Sequence, residues 1–266
     1  MVDEPAQPLR ATDYAIATSK LCRSFGGFRA VDELDLRVDA GTLYGFLGRN
    51  GAGKSTTIKM LTGILAPSSG SISLLGASPG DENEAAEVRR RIGVVPEDLA
   101  LFELLTGREY LDFVGTIYLL DEAVVRERVD ELFEVLNVGG GEKQLVLEYS
   151  HGMRKKLALA AALIADPALL FLDEPFEGVD AVSSRVMREL LQRFVARGGT
   201  VFITSHVLDV VERLCTHVGI IDRGRLVYEA PLSELDGSTL ESVFIDRVGD
   251  AAGMRTDLSW LREDSG

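Results

Sequence analysis

Three observations in the amino-acid sequence predict an α/β fold with an antiparallel β layer and an inserted helical lobe. An apolar run of strand type, a glycine-rich turn and a helix-compatible run follow one another over residues 42–61. Two later runs, 169–172 and 201–204, are continuously apolar, as strands covered by helices on both faces are. Over 107–138 the apolar residues instead recur at helical spacing: Tyr110, Leu111, Val114 and Ile117, then Val125, Val129, Leu132 and Leu136.

Taken in order, residues 1–13 are polar and proline-punctuated and are expected to form a flexible tail. Strand-like runs follow at 14–18, 34–38, 43–47 and 71–75, and alternation in the early ones predicts the antiparallel layer. A further run at 92–95 precedes the helical lobe, expected over about 99–165, in which Gly139-Gly140-Gly141 marks a break. The buried strands 169–172 and 201–204 come next, and then runs at 218–221 and 226–228. Residues 249–266 lack periodicity and are expected to be a second tail, leaving 14–248 as one domain.

The glycine-rich turn reads Gly48-Arg49-Asn50-Gly51-Ala52-Gly53-Lys54-Ser55, with Thr56 opening the run behind it. Its glycines let consecutive amides turn inward on phosphate oxygens, Lys54 supplies a mobile cation for the β- and γ-phosphates, and the Ser55 hydroxyl is a hard ligand for Mg²⁺. Strand, loop and helix stand in the order this chemistry requires. The core is therefore expected to be a P-loop NTPase core that binds a nucleoside triphosphate with Mg²⁺.

Composition bounds the remaining classes. At 266 residues and 46% hydrophobic the chain can bury a full core. Its strongest apolar stretch, 157–172, is interrupted by Asp166-Pro167, so no membrane span is expected. Acids and prolines stand at the start where a signal peptide needs positive charge, which predicts a cytoplasmic location. A formal charge of −14 argues against a nucleic-acid partner. The basic cluster Arg89-Arg90-Arg91 follows Glu82, Glu84 and Glu87 on one expected helix and reads as a solvated face. Cys22 and Cys215 are far apart and in no zinc or disulfide pattern, so both are expected to be buried and no metal beyond Mg²⁺ is expected.

The run 169–172 ends in Asp173-Glu174, two carboxylates at the C-terminal end of a buried strand, where α/β sheets place their ligands. Asp173 suits Mg²⁺, and Glu174 suits polarising the water that attacks the γ-phosphate. The run 201–204 ends in Ser205-His206, and a histidine there can hydrogen-bond a γ-phosphate and respond when it leaves. Taken alone, each has a bland reading: a strand ending in polar residues, or a satisfied structural histidine.

Together, over about residues 14–235, these motifs make the chain resemble the ATP-binding subunits of ATP-binding-cassette transporters. The glycine loop, Asp173-Glu174, Asp180 and His206 fall in the family's order, and Tyr149-Ser150-His151-Gly152-Met153 stands before a helix in the place of the family signature. The resemblance implies a head-to-tail dimer with ATP held between the P-loop of one subunit and the signature of the other. Ser150, His151, Gly152 and Met153 would then act in trans at the start of a helix beginning near Met153, and Asp180 would belong to the dimer loop. It also implies that Phe25, with Phe28 a weaker candidate, stacks on adenine.

Two departures from the family pattern stand out. His151 replaces a Gly and Met153 a Gln, so His151 either adds a donor to the phosphate or points away. Glu97 replaces the Gln that would contact Mg²⁺; a carboxylate is also a hard oxygen ligand, so hydrolysis is expected to be retained.

The segment 99–105 is apolar for a connection, and by resemblance a cytoplasmic helix of a separate transmembrane permease would sit between it and the helical lobe. Packing within the lobe is the competing account. The short core, Glu97 and the Ser-His-Gly signature resemble the ABC-2 type exporter branch most. A homodimer on the inner face of the membrane is expected, with a heterodimer left open. A soluble ATP-dependent switch without transport is the alternative; such proteins usually carry two cassettes, a coiled-coil arm or a basic surface, and this sequence shows none.

Overall fold

Hydrogen bonding sorts the strands of the computed structural model, which describes residues 14–139, 143–235 and 237–249, into two sheets. The expected tails, apart from Gly249, and Gly140-Gly141 of the expected break lie outside the described residues.

The smaller sheet is antiparallel, in the order β2 (Phe28–Asp39), β1 (Tyr14–Phe25), β4 (Ser69–Leu74). Both β1 and β2 run well past the alternating segments 14–18 and 34–38. The register of their pairing shifts between Thr18 and Leu21 and again between Leu21 and Arg23. Lys20 and Glu33 adopt left-handed φ values of 45° and 49° near these bulges. A bulge adds an unpaired residue and reverses which side chains face inward, so a period of two fails there although the strand continues.

The larger sheet has the order β5 (Ile92–Val95), β6 (Leu169–Asp173), β7 (Thr200–Ser205), β3 (Leu43–Leu47), β8 (His217–Asp222), β9 (Arg225–Pro231). All neighbours are parallel except β8 and β9. Strands β3, β6 and β7 are buried along their whole length, in keeping with their apolar runs 169–172 and 201–203, and the burial extends to the polar Asp173, Thr204 and Ser205 at their ends. Phe202 centres their packing: it stacks on Tyr44 at 5.5 Å and meets Phe46 at 5.2 Å and Phe171 at 5.9 Å. Truncating such an aromatic costs roughly 3–5 kcal/mol.

The helices are α1 (Lys54–Leu61), α2 (Glu82–Arg91), α3 (Gly107–Ile117), α4 (Glu122–Leu136), α5 (His151–Leu163), α6 (Ala181–Ala196), α7 (Leu208–Leu214) and α8 (Leu240–Val248). Helices α3, α4 and α5 come between β5 and β6. Thr106 and Glu109 form a reciprocal capping box at the start of α3, and Asp121 caps α4 through the Ala123 amide. Arg89, Arg90 and Arg91 fall in the last turn of α2, where the helix dipole favours cations. Cys22 and Cys215 are buried free thiols, and burial pushes the Cys215 thiol far up. Among the described residues no helix is long and apolar enough to cross a membrane.

Two consequences for the site follow from this topology. Register places Asp173 beside Thr204 and Leu47 beside Ser205, so Glu174, His206 and Gly48 leave neighbouring strands at one end of the sheet. The β8–β9 turn also reaches that end: the Gly224 amide donates to the Ala52 carbonyl at 2.8 Å, and the Asp32 amide to the Gly224 carbonyl at 2.9 Å.

Candidate active site

The glycine loop is shaped by close packing beneath it. A Cβ on Gly48 would stand 2.5 Å from the Ile221 carbonyl oxygen, and one on Gly53 would stand 2.6 Å from that of Ala30, at a φ of 114°. Only glycine allows the chain to leave β3 between its neighbours and turn into α1. Ala52 closes the turn, its amide donating to the Arg49 carbonyl at 3.0 Å. Asn50, Gly51 and Gly53 of the loop and Lys54, Ser55 and Thr56 at the start of α1 line one cleft, where a helix N-terminus favours an anion.

Lys54 is 7% exposed and folds back into that turn. Its ammonium donates to the Gly48 carbonyl at 2.9 Å and lies 3.7 Å from Oε1 of Glu174. The other oxygen of Glu174, Oε2, lies 3.0 Å from Nδ1 of His206 and accepts the His206 amide at 3.3 Å. Glu174 therefore stands between two basic groups. Its backbone is left-handed, with φ 47°, a conformation costing a non-glycine residue roughly 1–3 kcal/mol. Thr204 holds it there: the Glu174 amide donates to the Thr204 hydroxyl at 3.2 Å, and the same hydroxyl donates to Oδ1 of Asp173, which is 2% exposed.

From the other side, Glu97 follows β5 and its Oε2 accepts the Ser55 hydroxyl at 3.2 Å. Phe25, at the end of β1, is 46% exposed with the Arg23 guanidinium 4.6 Å over its ring, so it is not a core phenylalanine. A cleft of about 500 Å³ is lined by Phe25, Phe28, Asn50, Gly51, Gly53, Lys54, Ser55, Thr56, Glu97, Glu174 and His206 together with Glu177.

The signature segment lies elsewhere. None of Ser150, His151, Gly152 and Met153 lines that cleft, nor does Asp180. Ser150 is the N-cap of α5, accepting the Met153 amide at 3.3 Å, so the helix starts at His151, two residues before the expected Met153. The His151 ring lies against Gly178, where an added Cβ would stand 2.6 Å from its Cδ2. Asp180 caps α6, accepting the amides of Val182 at 3.0 Å and Ser183 at 2.9 Å; the Ser183 amide and hydroxyl hold its carboxyl below the usual range.

The family model for the ABC transporter matches residues 31–177. The chain belongs to the ABC transporter family. It is 40% identical over 245 residues to the daunorubicin/doxorubicin resistance ATP-binding protein DrrA of Streptomyces peucetius, covering 92% of this chain and 72% of that one. With the bacitracin transport ATP-binding protein BcrA of Bacillus licheniformis it shares 39% over 221 residues, 83% and 71% of the two chains. A solved ATP-binding subunit of an ABC transporter superposes with a TM-score of 0.81 at 28% identity, over 87% of this chain and 98% of that one. Membership makes the chain an ABC-type ATPase.

In this ABC ATPase the donor set suits Mg²⁺. Ser55 Oγ and Glu97 Oε2, 3.2 Å apart, match neighbouring oxygens of an octahedron, which lie about 3 Å apart when bonds are about 2.1 Å. Among the described residues no three His, Cys, Asp or Glu form a cage, so Mg²⁺ would share its shell with Ser55 and phosphate oxygens. Three cleft or near-cleft residues escaped the sequence reading. Thr204 ends a run that reads as apolar, and Glu177 belongs to no motif. Lys155 is buried in α5 but stands between Arg154 and Lys156, so no local signal sets it apart from a solvated basic face.

Proposed function

We propose that this ABC ATPase is the ATP-binding and ATP-hydrolysing subunit of a membrane exporter, in which closure of a dimer on MgATP moves a separate membrane subunit. The observation that carries the reading is Glu174 held between Lys54 and His206 in the cleft formed by the glycine loop. Arg49, Ala52 and the glycines shape the turn whose amides bind the phosphates, and Lys54 exchanges its carboxylate partner for them. Phe25 stacks on the adenine. Ser55, Asp173 and Glu97 would hold the Mg²⁺ that comes with ATP and neutralises charge on the β- and γ-phosphates. Glu174 takes a proton from the attacking water, and His206 orients Glu174 and senses the γ-phosphate.

The signature lies outside its own chain's cleft yet opens the 13-residue helix α5, whose positive N-terminal end favours an anion brought by a second subunit. Ser150, His151, Gly152 and Met153 would act there, with Asp180 in the adjoining dimer loop. Residues 14–248 would form this ATP-binding domain. A groove of about 370 Å³ bordered by Leu99, Leu101, Tyr110, Val114 and Tyr118 suits a helix of the membrane subunit. Phe102 and Leu104 remain 55% and 79% exposed on the same segment. That contact would hold the chain at the inner face of the membrane. Export rests on the similar proteins, which are named for drug resistance, bacitracin transport and, at 37% identity, Nod factor export in Cupriavidus metallidurans.

The test is Mg²⁺-dependent ATP turnover by the purified chain and by Glu174→Gln, with oligomeric state recorded in ATP. Turnover lost in the variant together with an ATP-trapped dimer is the expected result. Equal turnover in both, with no ATP-dependent dimer, would overturn the mechanism.

A further inference from the structure

Helix α5 carries the signature at its start and then enters the core, where Lys155 is 1% exposed. A lysine that deep must find partners for its ammonium. Its Nζ donates to two main-chain oxygens, that of Glu174 at 3.2 Å and that of Glu97 at 3.3 Å. Burial pulls its pKa down, opposed by the carboxylates of Glu177, Asp173, Glu97 and Glu174.

The two carbonyls belong to residues that line the cleft. Glu97 takes the Ser55 hydroxyl, and Glu174 stands between Lys54 and His206. One cation thus joins the helix bearing residues 150–153 to both carboxylate-bearing segments of the cleft. The first turn of the same helix rests on the loop that follows Glu174, with the His151 ring against Gly178. A shift of either segment that moves its main chain must move α5 or break a charge-assisted hydrogen bond.

We propose that Lys155 is a positioning residue: it orients the Ser150–Met153 segment from the main chain of Glu97 and Glu174. ATP bound in one chain thereby governs how that chain presents its signature to a second. The inference rests on the dimeric reading above, and it locates Lys155 in assembly of the two-chain site and not in the nucleotide cleft.

The test uses the full chain and two readouts besides turnover: ATP affinity of the monomer in EDTA, and ATP-driven dimerisation in a Glu174→Gln background. Lys155→Met removes the charge at similar volume. It is expected to keep monomer affinity and weaken dimerisation roughly tenfold or more, as losing hydrogen bonds to a charged group does. Undiminished dimerisation in Lys155→Met, or an equal fall in monomer ATP affinity, would each overturn the role. Melting without nucleotide checks folding; if Lys155→Met does not fold, Lys155→Gln is read by the same criteria. A wild-type chain that neither dimerises nor hydrolyses ATP would overturn the functional reading itself, whereas a competent wild type matched by the variant would overturn the role of Lys155 alone.

Discussion

The main-chain amide and the imidazole Nδ1 of His206 meet the same oxygen of Glu174, at 3.3 and 3.0 Å. Because the amide contact is independent of the side chain for every residue but proline, the imidazole is what a mutation such as His206→Ala tests. His206→Ala is expected to lower kcat by roughly 10²- to 10⁴-fold, the usual scale for acid–base groups. KM for ATP should move little, because the loop amides and Lys54 are untouched. Steady-state kinetics across ATP concentrations measure this, and a change confined to KM would refute it.

Glu97→Gln keeps an oxygen acceptor for the Ser55 hydroxyl but removes a negative charge 3.2 Å from it. Turnover should persist, while half-saturating Mg²⁺ should rise by roughly threefold or more, because a carboxylate is the stronger hard ligand. Titrating Mg²⁺ at fixed ATP checks this. If neither Mg²⁺ dependence nor turnover changes, Glu97 has no part in the site.

Phe25→Ala removes an exposed ring, so the melting temperature should hold. Loss of base stacking is worth about 1–3 kcal/mol, which raises the Kd for ATP by roughly 5- to 150-fold. Equilibrium binding of a fluorescent ATP analogue would show it. An unchanged Kd would move the adenine contact to Phe28.

The depressed carboxyl of Asp180 makes a pH-dependent cap, since the Ser183 amide and hydroxyl favour its ionised form. Its contribution should be complete above the unfolded-state value near 3.8 and fade as pH falls through the lower folded value. Asp180→Asn keeps an N-cap acceptor, so its melting curve should match wild type near neutrality and lose less on acidification. Identical acid sensitivity in the two proteins would contradict this.

What the sequence disclosed was local. Residues 43–55 announce strand, loop and helix because the glycines, the lysine and the serine act within one turn. Asp173, Glu174 and His206 were legible because unbroken apolar runs make buried parallel strands, whose ends carry ligands. The rest needed contacts between distant segments. No periodicity shows that Thr204 bonds both Asp173 and the Glu174 amide, or that Lys155 reaches the main chain of Glu97. His151 had two open orientations until Gly178 was found against its ring. The lengths of β1 and β2 were hidden by bulges that interrupt alternation without ending the strands.

The hydrogen bond from Gly224 to Ala52 also bears on the order in which the protein is made. The glycine loop leaves the ribosome early, yet one of its supports is a hairpin translated long afterwards. A nascent chain halted before β8 would display every residue of the loop without that support or the Ile221 carbonyl beneath Gly48. Competence to grip nucleotide is thus expected to appear only when synthesis has passed the hairpin.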